Sequence, residues 1–338
     1  MSSGLRRYIV IRILLTIPMI LILVSMVFFI MRVLPGDPAL AILREGASEE
    51  QLQAFRVVLG LDRPLHIQYF DFLLGILRFD LGESMTRHIP VVDEIKTFFP
   101  ATVELAMYSM LVTASVGILS GAFAAQHRKT SADYTIRILS IILYSLPIFW
   151  LGIMFQMTFG AQLGWLPVSG RLDPGMTPDR IITGLYTIDA LLMGDMRLLG
   201  DALRHLVLPS LTLGLVLAGV FTRLTRANML EVLEKDFIIA GRARGIKERI
   251  LVYKHGLRNA FIPIVTLLGL QFALLLAGAI LTETTFSWPG LGRLVVDRIY
   301  DRDFSTVQGS ILFFALLVTF MSLIVDVVYG FLDPRIRY

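Results

Sequence analysis

The side chains best equipped for chemistry are few in this chain and lie far apart. Five histidines, His66, His88, His127, His205 and His255, could each bind a metal or move a proton. None sits in an H-E-x-x-H pair, and their scatter argues against a metal cluster. No G-x-x-x-x-G-K-[ST] loop is present to cradle the phosphates of a nucleotide. No G-x-S-x-G elbow offers a nucleophile. The absence of cysteine removes thiol and disulfide chemistry. No catalytic residue, cofactor or metal is therefore expected of the chain itself.

Two acids, Glu104 and Asp326, fall near the ends of apolar runs. A charge at the centre of a membrane helix costs about 2.5–3.5 kcal/mol on insertion scales, and the cost falls near an interface. Each acid reads either as a snorkelling or capped interfacial group or as part of a polar path or a gate contact. A proton- or sodium-driven carrier would need more ionisable groups at midplane. The denser signal is Asp236-Phe237-Ile238-Ile239-Ala240-Gly241-Arg242-Ala243-Arg244-Gly245. Small residues at 240, 241, 243 and 245 alternate with two arginines, so a short helix here could sit close against another protein. Gly245 suits the left-handed position that ends such a helix. The bland reading is a basic loop that only sets topology or lies near anionic headgroups. A second turn signal is Ser287-Trp288-Pro289-Gly290. It reads as a structural turn or, at Trp288, Pro289 and Gly290, as a contact for a soluble partner.

The elements that must hold these residues follow from the apolar pattern. The chain has 338 residues, 55% of them apolar, and a mean hydropathy of +0.71. The apolar residues lie in long blocks with the charges between them, which is the pattern of a chain dissolved in lipid. Six spans are predicted, roughly 9–31, 101–125, 136–160, 206–222, 260–281 and 307–331. Inside a bilayer each must be a helix, because a helix satisfies its own backbone groups. The first run is too long for a cleavable signal and lacks a small-residue cleavage site, so it reads as an uncleaved helix.

Orientation follows from lysine and arginine. Segment 223–259 carries Arg223, Arg226, Lys235, Arg242, Arg244, Lys247, Arg249, Lys254 and Arg258, while 33–100 is rich in acids. Both ends of the chain are therefore expected on the cytoplasmic side. The expected organisation is 1–31 for the amino end and first span, 32–100 for an extracytoplasmic segment, 101–331 for a five-helix core and 332–338 for a tail.

The stretch 236–258 resembles the EAA loop of ABC importer permeases. Anchored on Gly245, the E-A-A triplet falls on Ile239-Ala240-Gly241 and the closing I-x-L-P on His255-Gly256-Leu257-Arg258. The spacing fits, but the Glu, the third Ala, the Ile and the Pro are replaced. Those replacements resemble the peptide-uptake branch, as does Lys254-His255-Gly256-Leu257-Arg258-Asn259-Ala260. Further matches run in order along the chain. They include Leu34-Pro35-Gly36-Asp37-Pro38, Leu59-Gly60-Leu61-Asp62-Arg63-Pro64, Trp165-Leu166-Pro167-Val168-Ser169-Gly170, Glu283 to Arg293 and Asp333-Pro334-Arg335. The chain is thus similar to B-type permeases of the dipeptide and oligopeptide import family, nearest the dipeptide branch.

The resemblance implies an all-α integral membrane protein with six transmembrane helices and the type I importer permease fold. It implies a second homologous permease, two ATP-binding subunits that hold ATP and magnesium, an extracytoplasmic solute-binding protein, and a place in a bacterial or archaeal cytoplasmic membrane. It implies docking of the ATPase at Asp236, Ala240, Gly241, Arg242, Ala243, Arg244, Gly245 and His255. A bulky residue at Ala243 or Gly245 is then expected to uncouple transport by unseating the helix. The solute implied is a dipeptide or short peptide, with a nickel complex, glutathione or a haem precursor as alternatives on the same scaffold. A channel or secondary transporter, or a membrane scaffold or sensor, would instead work without an ATPase partner.

Overall fold

The computed structural model describes residues 3–33, 48–58 and 62–332. The motifs read at 34–38, 59–61 and 333–337, and the tail from 333 onward, lie outside the described residues. Among the described residues the structure is helical and contains no β-strand; Glu83 and Pro90 form an isolated bridge.

Thirteen helices are used below. They are α1 Ser3–Val33, α2 Glu49–Val58, α3 Leu65–Leu77, α4 Val91–Gln126 and α5 Ser131–Ser145. Next come α6 Ile148–Gln162, α7 Tyr186–Met193, α8 Met196–Leu233 and α9 Asp236–Ala243. The chain closes with α10 Glu248–Leu276, α11 Ile280–Thr285, α12 Leu291–Tyr300 and α13 Phe304–Leu332. Helices α1, α4, α8, α10 and α13 are each long and apolar enough to cross a membrane.

The span expected as one helix over 136–160 is instead a bent pair. Helices α5 and α6 meet at 100°. The cause is Pro147, which has no N–H to donate and pushes Leu146 out of the helical region, to φ −75° and ψ 134°. The pair still traverses the bundle. Asp133 at its start accepts from Arg226 at 2.6 and 2.7 Å. Trp165, just past its end, accepts through its carbonyl from Arg204 at 3.4 Å. Arg204 and Arg226 stand roughly 33 Å apart along α8 at about 1.5 Å per residue, close to the thickness of a hydrocarbon core. Counted this way, the described residues make six spans.

Helix α8 is the axis of the bundle, and α4 and α5 lie against it closely enough to demand glycine. A Cβ at Gly121 would stand 2.6 Å from the Thr222 carbonyl, one at Gly214 2.5 Å from Val112, and one at Gly219 2.5 Å from the Ser140 carbonyl. Small residues at such crossings bring backbones together where lipid offers no hydrophobic drive for association. Helices α1 and α13 pair at the periphery, and Arg12 meets Asp326 at 3.3 Å. Asp326 therefore has a cation partner and is not a lone interfacial acid.

Several helices overrun the expected spans. Helix α8 begins ten residues before position 206 and reaches Leu233, so the first third of the expected 223–259 loop continues a long helix. The boundary read at 100/101 falls inside α4. Pro18, Pro100, Pro209 and Pro263 lie within helices without breaking them.

Candidate functional site

Two clusters stand at opposite ends of α8. At its basic end, Lys235 turns the chain after Leu233 into the short helix α9. Ile238 is the anchor of α9, fully buried in a cluster with Ala122, Met229, Leu233 and Val252. One turn on, Gly241 is also buried. A Cβ there would come within 2.6 Å of Leu251 Cδ2, so glycine lets α9 lie flat on the start of α10.

The helix ends in the manner expected of Gly245. Ile246 N–H donates to the Gly241 carbonyl at 3.1 Å and Gly245 N–H to the Arg242 carbonyl at 2.9 Å. Gly245 itself takes φ +76°, the left-handed position that completes this cap. Open space surrounds the position of a Cβ on Gly245. Backbone conformation, and not crowding within the chain, demands glycine there.

The arginines divide by role. Arg242 forks onto Glu248 at 2.7 and 3.0 Å, tying α9 to the first turn of α10. Asp236, Ala240, Ala243, Arg244 and Gly245 are exposed. Phe237 and Ile239, at 44% and 53% exposure, and Ile246 and Ile250 add apolar area around them. His255 lies on a π-helical stretch, Leu251–Gly256. With Lys254, Arg258, Asn259 and Ile262 it lines an open cleft of about 360 Å³. The structure thus gathers every residue singled out at 236–258 into one region, with Gly241 facing inward and the rest outward. Sequence reasoning missed Ile238, Leu251 and Glu248 as its supports. The signal for the last was available as an Arg–Glu pair six residues apart.

At the acidic end the turn 287–290 is covered at Trp288 and Gly290 and exposed at Ser287. Trp288 is 0% exposed, and its indole N–H donates to the Ala101 carbonyl at 2.8 Å. Gly290 is buried and Pro289 half-buried. The Thr102 hydroxyl donates to Glu283 Oε1 at 2.8 Å and accepts from Leu291 N–H at 2.8 Å. Arg293 N–H donates to Glu283 Oε2 at 2.9 Å. Burial pushes the Glu283 carboxyl above its usual range, against the hydrogen bonds from Thr102 and the backbone. A Cβ on Gly290 would overlap that carboxylate. The turn therefore locks α11 and α12 onto α4, and its apolar bulk is turned inward.

Glu104 does not snorkel to an interface but is paired with a cation inside the chain. It is 1% exposed. Arg171 grips its Oε2 at 2.6 and 2.9 Å, while Thr187 gives both N–H and O–H to Oε1 at 2.8 and 2.7 Å. The same guanidinium donates to the Gly184 carbonyl and lies 3.6 Å over the Tyr186 ring. This pair pins segment 171–195 to α4. Glu94 and Arg298 form a second buried pair at 2.6 Å. Asp303, fully buried, accepts from Ser84 and Thr86 side chains and from Met85 and Thr306 N–H. Burial pushes Asp303 up, but those donors together hold it below the usual aspartate value.

Comparison with known proteins places this arrangement. Residues 117–338 match the family described as binding-protein-dependent transport system inner membrane component, and residues 5–106 match its N-terminal family. A di/tripeptide transport system permease protein of Pseudomonas aeruginosa is 43% identical, over 92% of this chain and 93% of the relative. A dipeptide transport system permease protein of Escherichia coli is 40% identical over 96% of each. A glutathione transport system permease protein of Salmonella typhi is 38% identical over 98% of this chain and 99% of the relative. A bundle with six spans, a short helix laid across its basic end and these full-length likenesses agree: the chain is a multi-pass membrane protein and belongs to the inner membrane component family of binding-protein-dependent transport systems.

Proposed function

We propose that the chain is the permease subunit of an ATP-driven importer of dipeptides or short peptides. Its basic end faces the cytoplasm, in keeping with the excess of lysine and arginine there. Beneath it two ATP-binding subunits hold ATP and magnesium, and a homologous permease supplies the other wall of the path. A solute-binding protein delivers cargo at the acidic end. The observation that carries the reading is α9. It is a short helix bolted to the bundle by Ile238, Gly241 and the Arg242–Glu248 fork. Phe237, Ile239, Ala240, Ala243 and Arg244 remain uncovered within the chain.

Seated in a cleft of an ATPase, that face would carry the closing motion of the nucleotide-driven dimer into α8 and α10. Both helices are continuous with the loop that holds α9, so a displacement of α9 is transmitted to them as rigid elements. No bond is made or broken in this chain. The names of the relatives support a peptide as cargo, and the glutathione relative is the competing case.

The testing experiment purifies the full complex with its encoded neighbours and asks whether an ATPase subunit comes with it. Loss of that subunit in Ala243→Trp, with the permease still correctly inserted, is the expected result. Retention of the ATPase and normal uptake in that variant would refute the docking role of α9. If docking at the acidic end uses the 287–290 turn, it does so through exposed Ser287 and half-buried Pro289, since Trp288 and Gly290 are covered.

A further inference from the structure

The five histidines are scattered in sequence, yet the fold gives one of them two carboxylate neighbours. His205 lies on α8 near its acidic end and is almost fully buried, as is Asp201 one turn before it. Asp173 arrives from the irregular segment after Gly170, with its side chain 62% exposed. One ligand atom from each of the three lies within 4.8 Å of the others.

The hydrogen bonds decide what each atom can do. His205 Nδ1 is 3.0 Å from the Asp201 carbonyl oxygen, which can only accept, so Nδ1 carries the proton. In the neutral ring Nε2 then holds a lone pair, and this nitrogen faces Asp173 Oδ1 at 3.7 Å. Two acceptors facing each other at that separation repel, and the gap exceeds a direct hydrogen bond. A cation between them removes the repulsion. Asp201 Oδ1 is 3.5 Å from Nδ1, so it must turn toward Nε2 to share a cation with it. Its Oδ2 accepts from Asp173 N–H at 2.8 Å, which fixes the loop that brings Asp173 in. Among the described residues no lysine or arginine forms an ion pair with either carboxylate.

We propose that Asp173, Asp201 and His205 form a binding site for a divalent transition-metal cation of the zinc class. A cation bonded at about 2.0–2.2 Å to nitrogen and oxygen holds them about 3.4 Å apart in tetrahedral geometry, so Nε2 and Oδ1 need close by only a few tenths of an ångström. Donation of the second imidazole N–H to a backbone carbonyl is the arrangement that fixes a metal-binding histidine. One nitrogen and two oxygens suit zinc, cobalt or nickel better than calcium or magnesium. The exposed Asp173 edge leaves room for water as a further ligand and for exchange with solvent. The metal would clip the 171–195 segment to α8 beside the Arg171–Glu104 pair. It would make the order of that segment depend on metal supply.

The test uses the full-length protein in its complex, stripped by a chelator and titrated with Zn²⁺ against a chromophoric competitor. Wild type is compared with Asp173→Asn and His205→Gln. The expected result is one Zn²⁺ per permease chain that is lost in His205→Gln and weakened at least about tenfold in Asp173→Asn. Asp173 is exposed, so Asp173→Asn keeps the question open to test if His205→Gln does not fold. Equal binding by wild type and Asp173→Asn overturns the proposal. So does no Zn²⁺ bound by the wild type, which would leave a histidine hydrogen-bonded to the Asp201 carbonyl and nothing more.

Discussion

Gly241 and Ala243 are two residues apart on α9 but should fail in different ways when enlarged. Gly241 faces Leu251, and even a methyl at its Cβ position meets Leu251 Cδ2 at 2.6 Å. Leu251 is itself 2% exposed, so its side chain has little room to retreat. Overpacking of this kind costs about 1–3 kcal/mol, while replacing glycine by alanine in a helix returns about 1 kcal/mol. Gly241→Ala should therefore lose about 0–2 kcal/mol, and Gly241→Val more, with α9 lifted from the bundle. Ala243 is exposed, so Ala243→Trp should leave thermal unfolding of the detergent-solubilised protein within about 0.5 kcal/mol of wild type yet abolish ATP-coupled uptake. The decisive assay is a double-mutant cycle. Leu251→Ala removes the atom that Gly241→Val strikes, so the pair should be less destabilising than the sum of its parts by about 0.5–3 kcal/mol. Strict additivity, or equal destabilisation by Ala243→Trp and Gly241→Val, would refute the assignment of an inward and an outward face.

Three further outcomes are expected. Glu104→Ala leaves the Arg171 guanidinium buried without its acid and should cost about 3–5 kcal/mol, with faster proteolysis of segment 171–195; a loss below about 1 kcal/mol contradicts the buried pair. Asp303 is held below the ordinary value of 3.8, so the stability it contributes is fully present above that value. It is lost as pH falls through the lower, folded value; melting curves taken between roughly pH 5 and pH 2 should fall more steeply for wild type than for Asp303→Asn. Pro147→Ala restores an N–H and frees Leu146 to become helical, so the α5–α6 bend should open, as a spin-label distance between the two helices would report; an unchanged distance would place the cause of the bend in tertiary packing.

Much of this architecture was legible in the sequence because lipid imposes a simple rule on it. Runs such as Ile13 to Met31 can only be helices, and the concentration of basic residues after position 222 marks one end of the bundle. The Gly245 cap was legible too, since few residues tolerate a positive φ. The acidic end was not. Its carboxylates looked like surface charges, and their partners lie far away in sequence: Glu94 and Arg298 are 204 residues apart, Ser84 and Asp303 219. A local reading sees each acid without its cation or donor. The inward role of Gly241 was hidden for the same reason, because it depends on Leu251 returning over α9. Trp288 read either as part of a structural turn or as a contact for a partner, because a tryptophan beside Pro-Gly suits both. The Ala101 carbonyl that buries it lies 187 residues earlier.

ATP hydrolysis in proteoliposomes decides whether this chain serves a peptide importer. The complete complex is reconstituted and challenged with its solute-binding protein, loaded in turn with a dipeptide library and with glutathione. Stimulation by a subset of dipeptides is expected, abolished by Ala243→Trp in this chain. Stimulation by glutathione alone would contradict the peptide assignment. A purified complex that carries no ATPase subunit would contradict the account as a whole.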